Sequence, residues 1–141
     1  MIPRIGIIGG GFAGIMTAVN LIKKTNTPLQ LYIIGERISF ARGTAYESYL
    51  DKHILNVSTE KMSAFPDQPS HFLDWVMARS SFQDLPKEIV AKSFLSRNLY
   101  GDYLCELWQE SIKIAREKDI NVIELVDTVI KLTNLSAGIE L

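Results

Sequence analysis

The stretch that decides the fold is IGIIGGGFAG, residues 5–14. Five of these ten residues are glycine, although glycine loses more backbone entropy on folding than any other residue. Gly9, Gly11 and Gly14 have the spacing G-x-G-x-x-G. So much glycine among apolar residues indicates that another group must approach the backbone very closely there.

The residues around these glycines have the pattern strand, turn, helix, strand. Arg4–Ile8 is a short β-branched run that is typical of a buried strand. Helical periodicity begins at Phe12 and stops at residues 25–28, and Leu29–Gly35 again has the composition of a strand. Two parallel strands need a crossover of this kind. We therefore predict an α/β fold with a Rossmann-like, doubly wound and mostly parallel sheet, and an added β element near the C-terminus.

Each glycine of the motif has a role in a turn between a strand and a helix. The first allows a tight bend, the second lets a pyrophosphate approach the backbone, and the third lets the helix pack closely on the strand. The N–H groups and the dipole at the helix start favour the phosphate charge. A turn that serves packing alone is the alternative. The residues that we predict to bind a dinucleotide cofactor are Gly9, Gly10, Gly11, Phe12, Ala13 and Gly14.

Sites of this type usually have an acidic residue about 20 residues further on, at the end of the second strand, which binds a ribose hydroxyl. The position where we expect that acid, directly after YII, is Gly35, and Glu36 follows it. We predict that Glu36 reaches the ribose. The alternative is a solvated charge at the end of a strand.

The rest of the chain gives a coarser pattern. Residues 35–70 lack strong periodicity, and so long a connection tends to be functional or disordered. We predict a helix near residues 71–79, a long helix that ends near Lys118, and a strand over Ile120–Val126. Residues 128–132 either extend this strand or start another. The final residues begin a strand without a visible partner, and such an open edge would allow a homo-oligomer.

Composition excludes several classes of partner. The chain is 47% hydrophobic and 22% charged with a formal net charge of −1, so we expect neither nucleic acid nor a membrane as a partner. With Cys105 as its single cysteine, it has no disulfide framework or cysteine metal site, and a cytoplasmic setting is expected. We predict no metal, and we interpret His53 and His71 as surface or hydrogen-bonded histidines.

Four pieces together, IGIIGGGFAG, RGTAY, ILNVSTEKMSAFPDQPSHFLDWV and FLSRNLYGDYL, resemble a bacterial family of FAD/NAD(P)-binding proteins. That family is distantly similar to flavin-dependent N-hydroxylating monooxygenases. The resemblance implies that the first glycine motif holds the ADP part of FAD and that a second region, later in the chain, binds NAD(P)H. Gly35 departs from the acid that is usual in the family. Because no second glycine motif follows, residues 1–141 look like one Rossmann-like domain, the N-terminal portion of a longer protein.

Further cofactor contacts are expected after the second strand, because open α/β sheets bind ligands at the carboxyl edge. By resemblance, Arg42, Gly43, Thr44 and Tyr46 lie near the flavin, and a simple turn is the alternative. Asn56 lies between two apolar residues and bonds either the cofactor or its own loop backbone.

The predicted function is the FAD-binding portion of a flavin-dependent, NAD(P)H-using oxidoreductase, with a monooxygenase as one form of it. We nominate cofactor-binding residues and no catalytic ones, because the cofactor carries the redox chemistry. The small-molecule substrate is unknown. Two alternatives stay open: a non-catalytic dinucleotide-binding module, and an NAD(P)-binding domain without flavin. The isolated 141 residues are expected to be inactive, because they hold one glycine motif where two dinucleotides must bind.

Overall fold

The structure is a computed structural model that describes residues 2–36, 40–47, 52–135 and 138–140. The chain divides into two compact units. The first comprises Met1–Gly43 and Leu107–Leu141, and the second comprises Thr44–Glu106.

The first unit is built on a parallel sheet. In the described part of the chain, β1 (Arg4–Ile8), β2 (Leu29–Gly35) and β3 (Ile120–Val126) form three strands in the order β1-β2-β3. β2 is central because it pairs in parallel with both neighbours, and Ile34 is in register with Ile8 on one side and Leu125 on the other. The predicted α/β, Rossmann-like fold is confirmed.

Helix α1 (Phe12–Lys24) connects β1 to β2. Its buried residues are Ile15, Met16, Ala18, Val19 and Ile22. Carbonyl oxygens at the C-terminal end of α1 accept hydrogen bonds from a residue far along the chain. The Lys118 ammonium donates to Ile22 O, Lys23 O and Thr25 O at 3.0, 2.9 and 3.1 Å. A cation at this end also interacts favourably with the helix dipole.

The long helix α4 (Arg97–Glu117) leads into β3 and ends one residue before the predicted boundary. Within the first unit, Trp108 of this helix is almost fully buried, and its indole Nε1–H donates to Glu124 Oε1 of β3 at 2.5 Å. This bond gives a partner to the one polar atom of the Trp108 side chain, whose large apolar ring stabilises the fold through burial.

The second unit contains α2 (His71–Met77), α3 (Lys87–Lys92) and the first part of α4. It also contains two 3-10 turns, Thr44–Tyr46 and Thr59–Lys61. Its largest buried side chains include Phe72, Leu73, Val76, Tyr100, Tyr103 and Leu104. α2 ends two residues before the predicted boundary.

Hydrogen bonds fix the aperiodic segment that follows residue 52. The Leu55 N–H donates to Leu95 O at 2.8 Å. Both the N–H and the side-chain hydroxyl of the buried Thr59 donate to Ser93 O, at 3.0 and 2.9 Å. This segment is therefore held by long-range backbone pairing, which leaves no periodic pattern in the sequence.

The C-terminal residues form a hairpin. β4 (Thr133–Leu135) pairs antiparallel with β5 (Gly138–Glu140). The prediction of a final strand without a partner is therefore wrong, because the partner lies immediately before it. Residues 128–132 carry no strand, so they neither extend β3 nor start another strand. No helix in the described ranges is long and apolar enough to cross a membrane.

Candidate functional site

The glycine turn lies between β1 and α1 and begins with Gly9. The Gly9 backbone has φ +111°, a conformation that residues other than glycine rarely adopt. A Cβ placed there would meet nothing within 4 Å. Its N–H donates to Ile34 O of β2 at 2.7 Å. Glycine is required at this position by backbone conformation rather than by lack of space.

Gly14 is required by packing. A Cβ on Gly14 would overlap the carbonyl oxygen of Gly9 and would lie 3.3 Å from Ile7 Cγ2. The third glycine of the motif therefore lets the first turn of α1 lie against the glycine turn and β1, which is the packing role expected from the sequence.

Residues 40–43, which we call the strap, lie against the middle of the glycine turn. The Phe40 ring approaches to 2.6 Å from the place where a Gly10 Cβ would be. The Ala41 N–H donates to Gly10 O at 2.8 Å. At the other end of the strap, Gly43 Cα lies 3.5 Å from the Cβ position of Gly11. The strap is thus in contact with both central glycines.

The end of β2 explains the missing acid. Gly35 is buried, and a Cβ there would lie 2.9 Å from Gly10 N and 3.4 Å from Phe40 Cε1. No side chain fits at this position without a shift of the glycine turn. Glu36 is exposed and forms no hydrogen bond or ion pair with any described residue, so its carboxylate is accessible to solvent and ligand.

The start of α1 can receive an anion. Its N-cap, Gly11, has no side-chain hydrogen bond, and the first turn carries no acidic residue. The N–H groups of Gly10 and Gly11 have no acceptor among the described residues. Unpaired N–H groups at a helix start, together with the helix dipole, bind phosphate. Half-buried Arg42 of the strap adds a positive charge, while Phe12 and Ala13 are exposed.

The structure does not bring all the predicted contact residues into one unit. Thr44, Tyr46 and Asn56 belong to the second unit. The side chains of Thr44 and Asn56 are exposed and form no hydrogen bond with a described residue. Tyr46 is half-buried, with its ring centroid 4.9 Å from that of Tyr100. Burial raises the pKa of the Tyr46 phenol, and the positive charge of Arg97 opposes that rise.

Tyrosine and histidine side chains also meet inside the second unit. The Tyr103 hydroxyl lies 2.9 Å from His71 Nδ1 and accepts the Ala64 N–H at 3.4 Å. The edge of Phe65 faces the His71 ring, with centroids 4.9 Å apart. Burial raises the pKa of Tyr103 and raises that of Tyr100 far above its usual range. The interpretation of His71 as a hydrogen-bonded histidine is confirmed.

Phe40 and Ala41 are the residues at the glycine turn that sequence reasoning missed. Neither has a local pattern that marks it, because each matters through its contact with Gly10. The available signal was indirect. Gly35 in place of an acid indicates that the end of β2 is filled by something else.

A strand, a glycine turn, an uncapped helix and a second parallel strand define the class of dinucleotide-binding α/β domains. Within that class, residues 6–141 match the FAD-NAD(P)-binding family, and the chain belongs to this family. No match was found among curated proteins. A dinucleotide is therefore the cofactor that fold and family support together.

Proposed function

We propose that this chain is the FAD-binding portion of a flavin-dependent oxidoreductase that uses NAD(P)H. The observation that carries the proposal is the glycine turn, where the Gly10 and Gly11 N–H groups have no acceptor among the described residues. The membership of residues 6–141 in a FAD-NAD(P)-binding family supports the choice of cofactor class.

The residues present fit a diphosphate group. Gly10, Gly11, Phe12 and Ala13 would hold it through their backbone at the positive end of α1. The role of Gly9 and Gly14 is to shape this turn, through the left-handed backbone of the first and the tight packing of the second.

Glu36 would accept a hydrogen bond from the adenosine ribose. It is the first residue after β2, and its exposed carboxylate is not engaged by a described residue. Gly35 itself offers no side chain for this contact. The proposal therefore moves the ribose contact one residue along the chain from its usual place.

The remaining proposed cofactor contacts rest on motif resemblance and on separate local features. Arg42 and Gly43 lie in the strap, next to the glycine turn. Thr44 and Asn56 present exposed polar side chains, and Tyr46 presents a half-buried phenol.

A bound flavin would supply the hydride and electron transfer between NAD(P)H and a second, small-molecule substrate. The part of this chain is to bind and orient the cofactor, through the backbone donors of the turn and the carboxylate of Glu36. A monooxygenase is a narrower form of the same proposal, and it rests on the resemblance of the four motifs alone.

The test is to purify the protein, release any bound cofactor and identify it by mass, with a visible spectrum taken before release. FAD with flavin absorbance is the expected result. NAD(P) without flavin would replace the proposal with that of a nicotinamide-binding domain. A protein that binds FAD but does not accelerate NAD(P)H oxidation would be a binding module. Failure to bind any dinucleotide would overturn the proposal.

A further inference from the structure

The strap and the glycine turn make an unusually complete set of contacts for four residues. Phe40 packs on Gly10, the Ala41 N–H bonds the Gly10 carbonyl oxygen, and Gly43 lies against Gly11. A Cβ on Gly43 would approach Gly11 Cα to 3.1 Å, so both residues at this contact are glycines that lie backbone to backbone.

The bond from Ala41 fixes the direction of a peptide group. In a planar trans peptide, the C=O of one residue and the N–H of the next point in opposite directions. The Gly10 carbonyl points to Ala41, and the N–H of the same peptide unit belongs to Gly11. The Gly11 N–H is therefore directed away from Ala41, and it has no acceptor among the described residues.

Ala41 adopts an unfavourable backbone to make this bond. Its φ is +84°, in the left-handed region that non-glycine residues rarely enter, and its side chain is fully buried. Strained residues of this kind persist where the surrounding structure imposes them, and they cluster at functional sites. Here the surrounding structure includes the Phe40 ring, which is buried against Gly10 and Gly35.

Phe40 also lies beside the end of β2. Its Cε1 is 3.4 Å from the Cβ position of Gly35, an ordinary van der Waals contact. The Gly10 nitrogen is only 2.9 Å from the same position, so the glycine turn itself leaves no room for an acid at residue 35. The Phe40 ring and Gly35 therefore both pack against Gly10.

We propose that Phe40 and Ala41 are positioning residues of the dinucleotide site, which hold the Gly10–Gly11 peptide so that its N–H is presented to the diphosphate. The proposal rests on the proposed function, because it concerns how the same turn meets its ligand. In this role the Phe40 ring and the Ala41 N–H preorganise the Gly11 N–H, which donates a hydrogen bond to the diphosphate.

The test compares two cavity-forming variants, Phe40→Ala and Phe65→Ala, with the wild-type chain. Phe65 is also buried, but it belongs to the second unit, where its edge faces the His71 ring. The probes are ADP and adenosine, which differ in the diphosphate alone, with affinities measured by titration followed by NMR. Phe40→Leu is the conservative variant, since it keeps an apolar side chain against Gly10.

We expect Phe40→Ala to weaken ADP binding at least about 10-fold, with adenosine binding unchanged, so that the ratio of the two affinities falls. Losing one hydrogen bond to a charged group is worth this much. Phe65→Ala should leave the ratio at its wild-type value even where it lowers the melting temperature, and Phe40→Leu should recover part of the loss.

A second measurement needs no variant. In the wild-type chain, ADP should slow hydrogen exchange at the Ala41 amide, because ligand and strap bond opposite ends of one peptide. An unchanged affinity ratio in Phe40→Ala, or an Ala41 amide that is insensitive to bound ADP, overturns the role of the strap and leaves the proposed function standing. A wild-type chain that binds neither ADP nor FAD overturns the proposed function itself.

Discussion

Replacing Gly11 by alanine tests whether glycine is needed at this position for ligand binding or for folding. A Cβ at this position would lie 3.5 Å from Gly43 Cα, which is an ordinary van der Waals contact. The backbone of Gly11, with φ −82° and ψ −169°, is extended and open to alanine. The fold should therefore accept Gly11→Ala, whereas a phosphate bound at its N–H would meet the added methyl group.

The expected stability change is small because its two main contributions oppose each other. Losing glycine at a helix N-cap costs about 0.5–1 kcal/mol. Alanine also lowers the conformational entropy of the unfolded chain, which stabilises the folded state by about 0.4–1 kcal/mol. We therefore expect the free energy of unfolding to stay within about 1 kcal/mol of wild type, while ADP and FAD affinities fall by roughly 10- to 100-fold, the equivalent of about 1.5–3 kcal/mol.

Gly14→Ala is the matched control, because the same methyl group at that position overlaps the Gly9 carbonyl oxygen. It should lower the free energy of unfolding by about 3 kcal/mol, the upper range for overpacking. Both variants are measured by urea unfolding and by calorimetric titration with ADP. If Gly11→Ala binds ADP with wild-type affinity, the phosphate does not approach the backbone at residue 11 closely enough to exclude a methyl group, and the reasoning is refuted.

Four further outcomes are expected. Glu36→Ala should weaken FAD binding by roughly 10- to 100-fold in titration, the range for one hydrogen bond to a charged group, and wild-type affinity would place the ribose elsewhere. Gly35→Asp should fail to restore that loss and should lower the melting temperature, because its Cβ would lie 2.9 Å from Gly10 N; restored affinity would contradict this. Burial raises the pKa of Tyr100 above its unfolded value. The contribution of its neutral phenol to the free energy of unfolding is therefore fully present below about pH 10 and is lost as the pH rises beyond it. Urea unfolding between pH 8 and about pH 11 should show this loss, and Tyr100→Phe should reduce it. Lys118→Met removes the cation from the end of α1 and should lower the free energy of unfolding by about 1 kcal/mol in urea; no change would show that water replaces it.

The elements around the glycine turn could be predicted because they follow local rules. β1, β2 and β3 are runs of β-branched and apolar residues that end at glycine or polar residues, and α1 begins directly after Gly11. The roles of Gly9 and Gly14 also follow from spacing, since the motif requires a bend and a close packing contact at those two positions.

The strap could not be predicted, because its structure depends on contacts far along the chain. Ala41 has a backbone conformation that its residue type disfavours, and it is held there with its N–H bonded to the Gly10 carbonyl oxygen. Gly35 was visible in the sequence as a departure from the usual acid. Its physical reason, the close approach of Gly10 and Phe40, appears only in three dimensions.

Short elements with few apolar residues were also missed. α3 has six residues, too few to establish a helical period. The pairing of β4 with β5 could not be predicted, because the two strands have three residues each and carry little alternation. Pairing between the strands, rather than propensity within either, defines that hairpin.

The proposed function depends on backbone N–H groups of the glycine turn that bind the diphosphate of a dinucleotide. The most direct measurement is a titration of the isotope-labelled chain with ADP, followed through its backbone amide resonances. We expect the largest shifts at Gly10, Gly11 and the first turn of α1, with adenosine leaving those amides unmoved. ADP that binds while the Gly10 and Gly11 resonances stay in place would contradict the account.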